Sequence, residues 1–204
     1  MLEYPVCASS FKAKNQIMKR ILLASKSPRR KELLSLLDLS FSIEVREVDE
    51  VFPQNIKLEK IAEYLAKLKA DAFDSIPKDQ VIITADTVVL SKGEILGKPK
   101  DYTEAHKMLS SLSDSSHQVI TGVCLTSTDK RISFSSTTTV CFKKLSEDEI
   151  NYYIKNYKPF DKAGSYGIQE WIGAIGITKI EGSYFNVVGL PVQELHKQLL
   201  EHFL

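Results

Sequence analysis

Ile21-Leu22-Leu23-Ala24-Ser25-Lys26-Ser27-Pro28-Arg29-Arg30-Lys31-Glu32-Leu33-Leu34 passes from a short buried-type strand to a helix within a few residues. Ser27 is placed as an N-cap and Pro28 at the first helical position, so the spacing predicts a strand over 21–24 and a helix over 28–38. Arg29 and Arg30 then fall in the first helical turn, where the helix already carries partial positive charge. Two readings are open. Either both guanidiniums point into water, or a polyanion sits there and gathers backbone N–H groups, the hydroxyls of Ser25 and Ser27, and both arginines.

Further along the chain, residues 41–48 alternate loosely and read as a strand, and Leu58, Ile61, Leu65, Leu68 and Ala72 recur at helical spacing over 56–73. Val81-Ile82-Ile83-Thr84 is another buried-type strand, and Ser91-Lys92-Gly93-Glu94 reads as a hairpin turn. Asp101 to Glu104 and Ser146 to Glu149 are capping-box patterns that open two helices. Between those helices lie two strands, about 117–127 and 131–142. A glycine-containing loop covers 161–167, apolar pieces at 174–180 and 184–188 flank a turn, and Pro191 opens a C-terminal helix. Strands interleaved with capped helices, plus hairpins, indicate an α/β or α+β domain on a mixed sheet.

The chain has 204 residues, enough for one domain or two small lobes around a sizeable core. Twenty-seven Lys and Arg against 26 Asp and Glu leave a formal net charge of +1, which argues against a nucleic-acid-coating protein. No apolar run approaches a membrane span. Residues 1–20 lack a continuous apolar stretch and read as an N-terminal extension, with a single domain over 21–204. The three cysteines, Cys7, Cys124 and Cys141, show no disulfide or zinc spacing, and a reducing cytoplasm is the simplest setting. The four histidines share no metal spacing. Neither a Walker-type phosphate loop nor a Gly-x-Gly-x-x-Gly turn is present.

Asp86 lies in the nearly unbroken apolar run 81–90, where a carboxylate is costly unless paired, metal-bound or facing a cleft. Thr87 beside it is either a ligand contact or a good strand residue. Asp49-Glu50 offers hard oxygens suited to Mg²⁺ or Mn²⁺. Lys98, between Gly97 and Pro99, is suited to neutralise a phosphate, and Lys69 ends a lysine-bearing helix. Gln169 carries the donors and acceptor needed to read the edge of a base. Taken singly, each of these has an ordinary surface reading.

Taken together they are specific. In order come Ser25-x-Ser27-Pro28-Arg29-Arg30, Asp49-Glu50, Ala85-Asp86-Thr87-Val88-Val89, Gly97-Lys98-Pro99 and Thr121-Gly122-Val123. Asp161-Lys162-Ala163-Gly164-x-Tyr166-Gly167-Ile168-Gln169 and Glu181-Gly182-Ser183-Tyr184-x-Asn186 complete the set. From Ile21 onward this resembles the Maf family of nucleoside triphosphate pyrophosphatases. The resemblance implies an α/β fold like that of inosine triphosphatases (Maf/Ham1), with a mixed twisted sheet, flanking helices and two lobes around a cleft. It implies metal-dependent hydrolysis of a nucleoside triphosphate to the monophosphate and pyrophosphate, and it suggests a homodimer; Asp86 and Glu50 are the carboxylates expected to hold the Mg²⁺ or Mn²⁺. The Tyr-Gly-Ile-Gln form is similar to members acting on dTTP and UTP rather than on 7-methylguanosine triphosphate. By position, Asp86 matches the catalytic proton acceptor, and Arg29, Thr87 and Gln169 the specificity positions. Glu50, Lys69 and Lys98 match polar pocket residues. Residues 1–20 extend beyond the family's usual start, and Glu170-Trp171-Ile172 departs from the small residue that often follows the Gln. Trp171 is expected either in the base pocket or at a subunit contact. The rival outside the enzyme class is a non-catalytic nucleotide-binding regulator of cell division.

Overall fold

Apolar residues on both faces of the run 80–91 make it a strand that must be covered on both sides, and it forms the spine of the computed structural model, which describes residues 19–204. Cys7 and nearly all of the 1–20 extension lie outside the described residues. The elements in chain order are β1 (Arg20–Leu23), α1 (Pro28–Ser35), β2 (Phe41–Ile43), α2 (Ile61–Asp71), β3 (Gln80–Ser91), β4 (Glu94–Leu96) and α3 (Tyr102–Leu112). They continue as β5 (Ser116–Thr126), β6 (Arg131–Phe142), α4 (Glu147–Tyr157), α5 (Trp171–Gly176), β7 (Ile177–Glu181), α6 (Tyr184–Val188) and α7 (Val192–His202). One mixed sheet runs β2-β1-β3-β5-β6-β7, parallel among β2, β1 and β3 and antiparallel beyond, with β4 paired to β3. The expected α/β architecture with flanking helices is therefore present. No described helix is long and apolar enough to cross a membrane.

Three of the expected elements are shorter than the sequence implied. The helix predicted over 28–38 ends at Ser35, and the chain turns away through Asp38 at a positive φ. The strand predicted over 41–48 stops at Ile43, because β1, its only neighbour among the described residues, ends at Leu23 and offers no further edge. The helix over 56–73 begins as a 3₁₀ turn, Leu58–Lys60, and ends at Asp71. The capping box at Ser146 is complete. At Asp101 only half of it forms: the Asp101 carboxylate accepts from the Glu104 amide, while Glu104 reaches back to the Lys100 amide instead of that of Asp101.

The period of two along β3 and β5 sorts the core. On one face, Val81, Ile83 and Ala85 join Val123 and Leu125 under α1 and α7. Further along the same face, Val89 and Val119 join a second core under α3, α4 and α5. Between the two cores, Thr87 pairs with Thr121 and Thr121 with Ser136, so a polar row crosses the sheet where the cores would otherwise merge. Buried Asn186 of α6 closes the row: its side-chain Nδ2 donates to the Val119 carbonyl and the Thr138 hydroxyl, and its main-chain carbonyl accepts from the Thr121 hydroxyl.

On the opposite face α2 lies across β3 and β5, with Ile61, Ala62 and Leu65 against Val88 and Ile120. It comes so close that a Cβ on Gly122 would stand 2.3 Å from the Ala62 carbonyl carbon. Only glycine allows that approach, because the obstacle is helix backbone that cannot rotate away. Gly122 is the register partner of Asp86, so the same contact sets the height of α2 above Asp86.

Two outcomes follow from this packing. Gly122→Ala is expected to lower stability by about 1–3 kcal/mol in urea denaturation, as overpacking against rigid backbone does. His117, buried in β5 with its Nε2 on the Tyr166 hydroxyl, is pushed down by burial from 6.5 to about 4. A base whose folded pKa is depressed stays neutral in the fold while the unfolded chain takes up a proton, so stability falls as pH drops from about 6.5 to about 4. Denaturation midpoints should reveal up to about 3 kcal/mol lost across that window, and a flatter profile in His117→Gln.

Candidate active site

β3 is paired along one edge by β5 from Ile82 to Leu90. Its other edge is paired by β1 only as far as Ile83 and by β4 only from Val89. Among the described residues no strand lies beside residues 84–88 of that edge, and a cleft of about 940 Å³ opens there. An aspartate in an apolar run is accommodated because it sits at this gap inside a continuous strand. All ten residues singled out from the sequence line the one cleft: Ser25, Ser27, Arg29, Arg30, Glu50, Lys69, Asp86, Thr87, Lys98 and Gln169.

Lys69, in the last turn of α2, joins two carboxylates. Its Nζ lies 2.5 Å from Asp86 Oδ1 and 2.9 Å from Glu50 Oε1. Burial raises the Glu50 pKa, but the Lys69 hydrogen bond and the charges of Lys69, Lys98 and Arg30 outweigh it and hold the carboxyl below its usual range. Glu50 belongs to an irregular segment anchored by Arg46, which stacks on the Phe73 ring and donates to the Ala72 carbonyl at 2.8 Å. Asp86 Oδ2 has no protein partner among the described residues.

The first turn of α1 forms as expected, with Ser27 Oγ accepting from the Arg30 amide and Pro28 opening the helix. The arginines resolve their conflict with the helix dipole through protein groups. Arg29 Nη1 meets Asp161 Oδ2 at 2.6 Å, across the cleft. Arg30 crosses the sheet gap: Nε donates to the Gly189 carbonyl at 2.9 Å, Nη1 to the Ala85 carbonyl at 2.9 Å, and Nη2 to Thr87 Oγ1 at 3.0 Å. Loss of water around that guanidinium lowers its pKa, opposed by the Asp86 charge. Arg30, expected on a phosphate, thus spends most of its donors on the protein and replaces a missing strand partner at Ala85.

Thr87, expected at the base, has its hydroxyl engaged by Arg30 and by Thr121 at 3.0 Å. Ser25 Oγ accepts from the Ser27 amide at 3.2 Å. Lys98 and Gln169 are exposed in the cleft, and neither side chain is hydrogen-bonded or ion-paired among the described residues. The loop 161–167 is tied to the Lys98 segment by the Gly164 amide on the Gly97 carbonyl at 3.0 Å. Trp171 does not line the cleft; it packs on Tyr152 of α4 with ring centroids 4.8 Å apart, which removes it from the base pocket.

Sequence reasoning did not single out Asp161 and Lys162 as site groups, although they adjoin the glycines of the 161–167 loop. Burial disfavours the Asp161 anion, yet hydrogen bonds from Lys162 and Arg29 bring its pKa down to about 2. The Thr121–Asn186 support under Thr87 is invisible in sequence, because it joins strands and a helix 65 residues apart.

The family model described as "Maf-like protein" matches residues 20–202. A dTTP/UTP pyrophosphatase of Flavobacterium psychrophilum is 52% identical over 184 residues, 90% of this chain and 94% of its own. A dTTP/UTP pyrophosphatase of Christiangramia forsetii is 53% identical over 182 residues, 89% of this chain and 93% of its own. A solved HAM1 protein from Coxiella burnetii aligns with a TM-score of 0.49 at 17% identity, over 90% of this chain and 100% of its own.

The Arg30 fork makes a specific demand on stability. Arg30→Lys keeps the charge but cannot reach three acceptors in different directions. It is expected to cost about 1–3 kcal/mol in chemical denaturation, with the Ala85 and Gly189 carbonyls left short of a donor.

Proposed function

The chain belongs to the Maf family, and we propose that it hydrolyses dTTP and UTP to the monophosphate and pyrophosphate. The observation that carries the reading is the assembly of one cleft: two carboxylates gathered on Lys69, cations along the cleft, and an unengaged Gln169. Relatives about half identical over nine-tenths of the chain bear that activity in their names. The family likeness also supports a cytoplasmic homodimer.

The cations would hold the triphosphate. Lys98 is free to neutralise phosphate charge, and Arg29 lies at a helix start that favours anions once its bond to Asp161 is exchanged for one to phosphate. Arg30 acts differently: it fixes the β3 edge and Thr87, so the pocket wall is set before substrate arrives. Thr87 shapes that wall, and the Gln169 amide reads the pyrimidine edge.

The divalent ion implied by the family fits the donor set. Asp86 and Glu50 are hard oxygen ligands already arranged around a cation, and among the described residues no group of three or more His, Cys, Asp or Glu side chains forms a closed cage. Mg²⁺ or Mn²⁺ held by two carboxylates commonly completes its shell with substrate phosphate oxygens and water. When bound, the ion would polarise the phosphates and acidify a water. Asp86 would orient the attacking water through its unpartnered Oδ2, while Lys69 holds Oδ1 and fixes the carboxylate. Orientation of that water would be its larger contribution.

Pyrophosphate release is to be measured from dTTP, UTP, CTP, ITP and 7-methylguanosine triphosphate, with Mg²⁺, Mn²⁺ or chelator. Turnover led by dTTP and UTP, abolished by chelator, is expected. Asp86→Asn should remain folded and lose about 100-fold or more of kcat. Turnover led by a purine would overturn the substrate assignment. Absence of turnover on every nucleotide would favour the regulator that binds without hydrolysing.

A further inference from the structure

Gln169 sits on a turn whose two ends are both held by one carboxylate. The turn is closed by the Glu170 amide donating to the Gly167 carbonyl at 3.0 Å. The Gly167 amide in turn donates to the Tyr153 hydroxyl at 3.0 Å, and that hydroxyl donates to Glu170 Oε2. The Glu170 carboxylate lies over the Gly167 Cα, and a Cβ there would stand 2.8 Å from its Cδ. Gly167 is therefore the residue that lets Glu170 fold back beneath its own turn.

The other oxygen of Glu170 faces a second chain of charges. Glu170 Oε1 is ion-paired with Lys162 Nζ at 3.0 Å, and Lys162 Nζ donates to Asp161 Oδ1 at 2.8 Å. Asp161 Oδ2 meets Arg29 Nη1 at 2.6 Å. Four alternating charges thus run from the Gln169 turn to the start of α1, and Lys162 in the middle is buried. A buried ammonium between two carboxylates requires both. With one neutralised, Lys162 is drawn to Asp161 and weakens the hold of Asp161 on Arg29. Glu170 itself does not line the cleft.

We propose that Glu170 is a positioning residue for nucleotide selection, holding Gln169 through Tyr153 and Gly167 and Arg29 through Lys162 and Asp161. Both specificity groups are thereby placed by a single carboxylate outside the pocket. The inference rests on the reading of this cleft as a pyrimidine nucleotide site.

The test combines binding and turnover in the wild type, Glu170→Ala, Glu170→Gln and Tyr153→Phe. Titration calorimetry with dTTP and dCTP in chelator reads selection without hydrolysis. Pyrophosphate release in Mg²⁺ reads kcat and KM. In Glu170→Ala the dTTP preference over dCTP should shrink by about 10-fold and KM for dTTP rise by a similar factor, with kcat changed by about 2-fold at most. Glu170→Gln, which can still accept from Tyr153, should fall between Ala and wild type. Tyr153→Phe should reduce the preference while leaving the Lys162–Asp161 contact in place, and it keeps the test open should Glu170→Ala fail to fold. A purely supporting role would lower the melting temperature and leave preference and KM at wild-type values; that result overturns the proposal. A wild type that binds dTTP selectively without turnover refutes the hydrolase reading, and the binding ratios still decide the role of Glu170. A wild type that binds dTTP and dCTP equally overturns the proposal itself.

Discussion

The site depends on five residues of one strand edge left without a neighbouring strand among the described residues. β1 stops at Leu23 and β4 joins only at Val89, so β3 runs from one partner to the next across an open interval. A strand edge facing water normally invites pairing with another chain. Here Arg30 satisfies the Ala85 carbonyl and binds the Thr87 hydroxyl, and the interval becomes a cleft wall. The gap also explains how Asp86 and Thr87, which point to opposite faces, serve one pocket.

Placement of charge follows from that geometry. α2 brings Lys69 down to Asp86 because Gly122 admits its backbone, and the irregular segment behind β2 delivers Glu50 to the same ammonium. On the other side, two arginines at a helix start would repel the dipole and each other. One is neutralised by Asp161 and the other is bound by carbonyl oxygens, so the folded chain tolerates a cationic wall before any anion is bound.

Most of the fold was legible from periodicity and caps. Ser27 with Pro28, the box at Ser146, and the strands about Val81 and over 117–127 and 131–142 all lie close to where local rules put them. The strand expected over 41–48 failed because a strand needs an edge to bind, and the end of β1 is not written in the residues of β2. In the site, the ten cleft residues were legible as a set only through the family resemblance, since each alone has an ordinary surface reading. What they touch was not legible. That Arg30 serves the backbone while Arg29 faces Asp161 depends on groups 55 to 159 positions away. Adjacent identical residues in one helical turn gave no local means of telling them apart.

The hydroxyl row of Thr87, Thr121 and Ser136 separates two apolar cores carried on the same long strands. A fused core would resist any change in the angle between its halves, since bending it would draw methyl groups into water. Across this row, bending exchanges one hydroxyl partner for another or for solvent, at far lower cost per contact. Any change of angle between the two cores would meet its lowest cost along that row, beside the cleft that the nucleotide would have to enter.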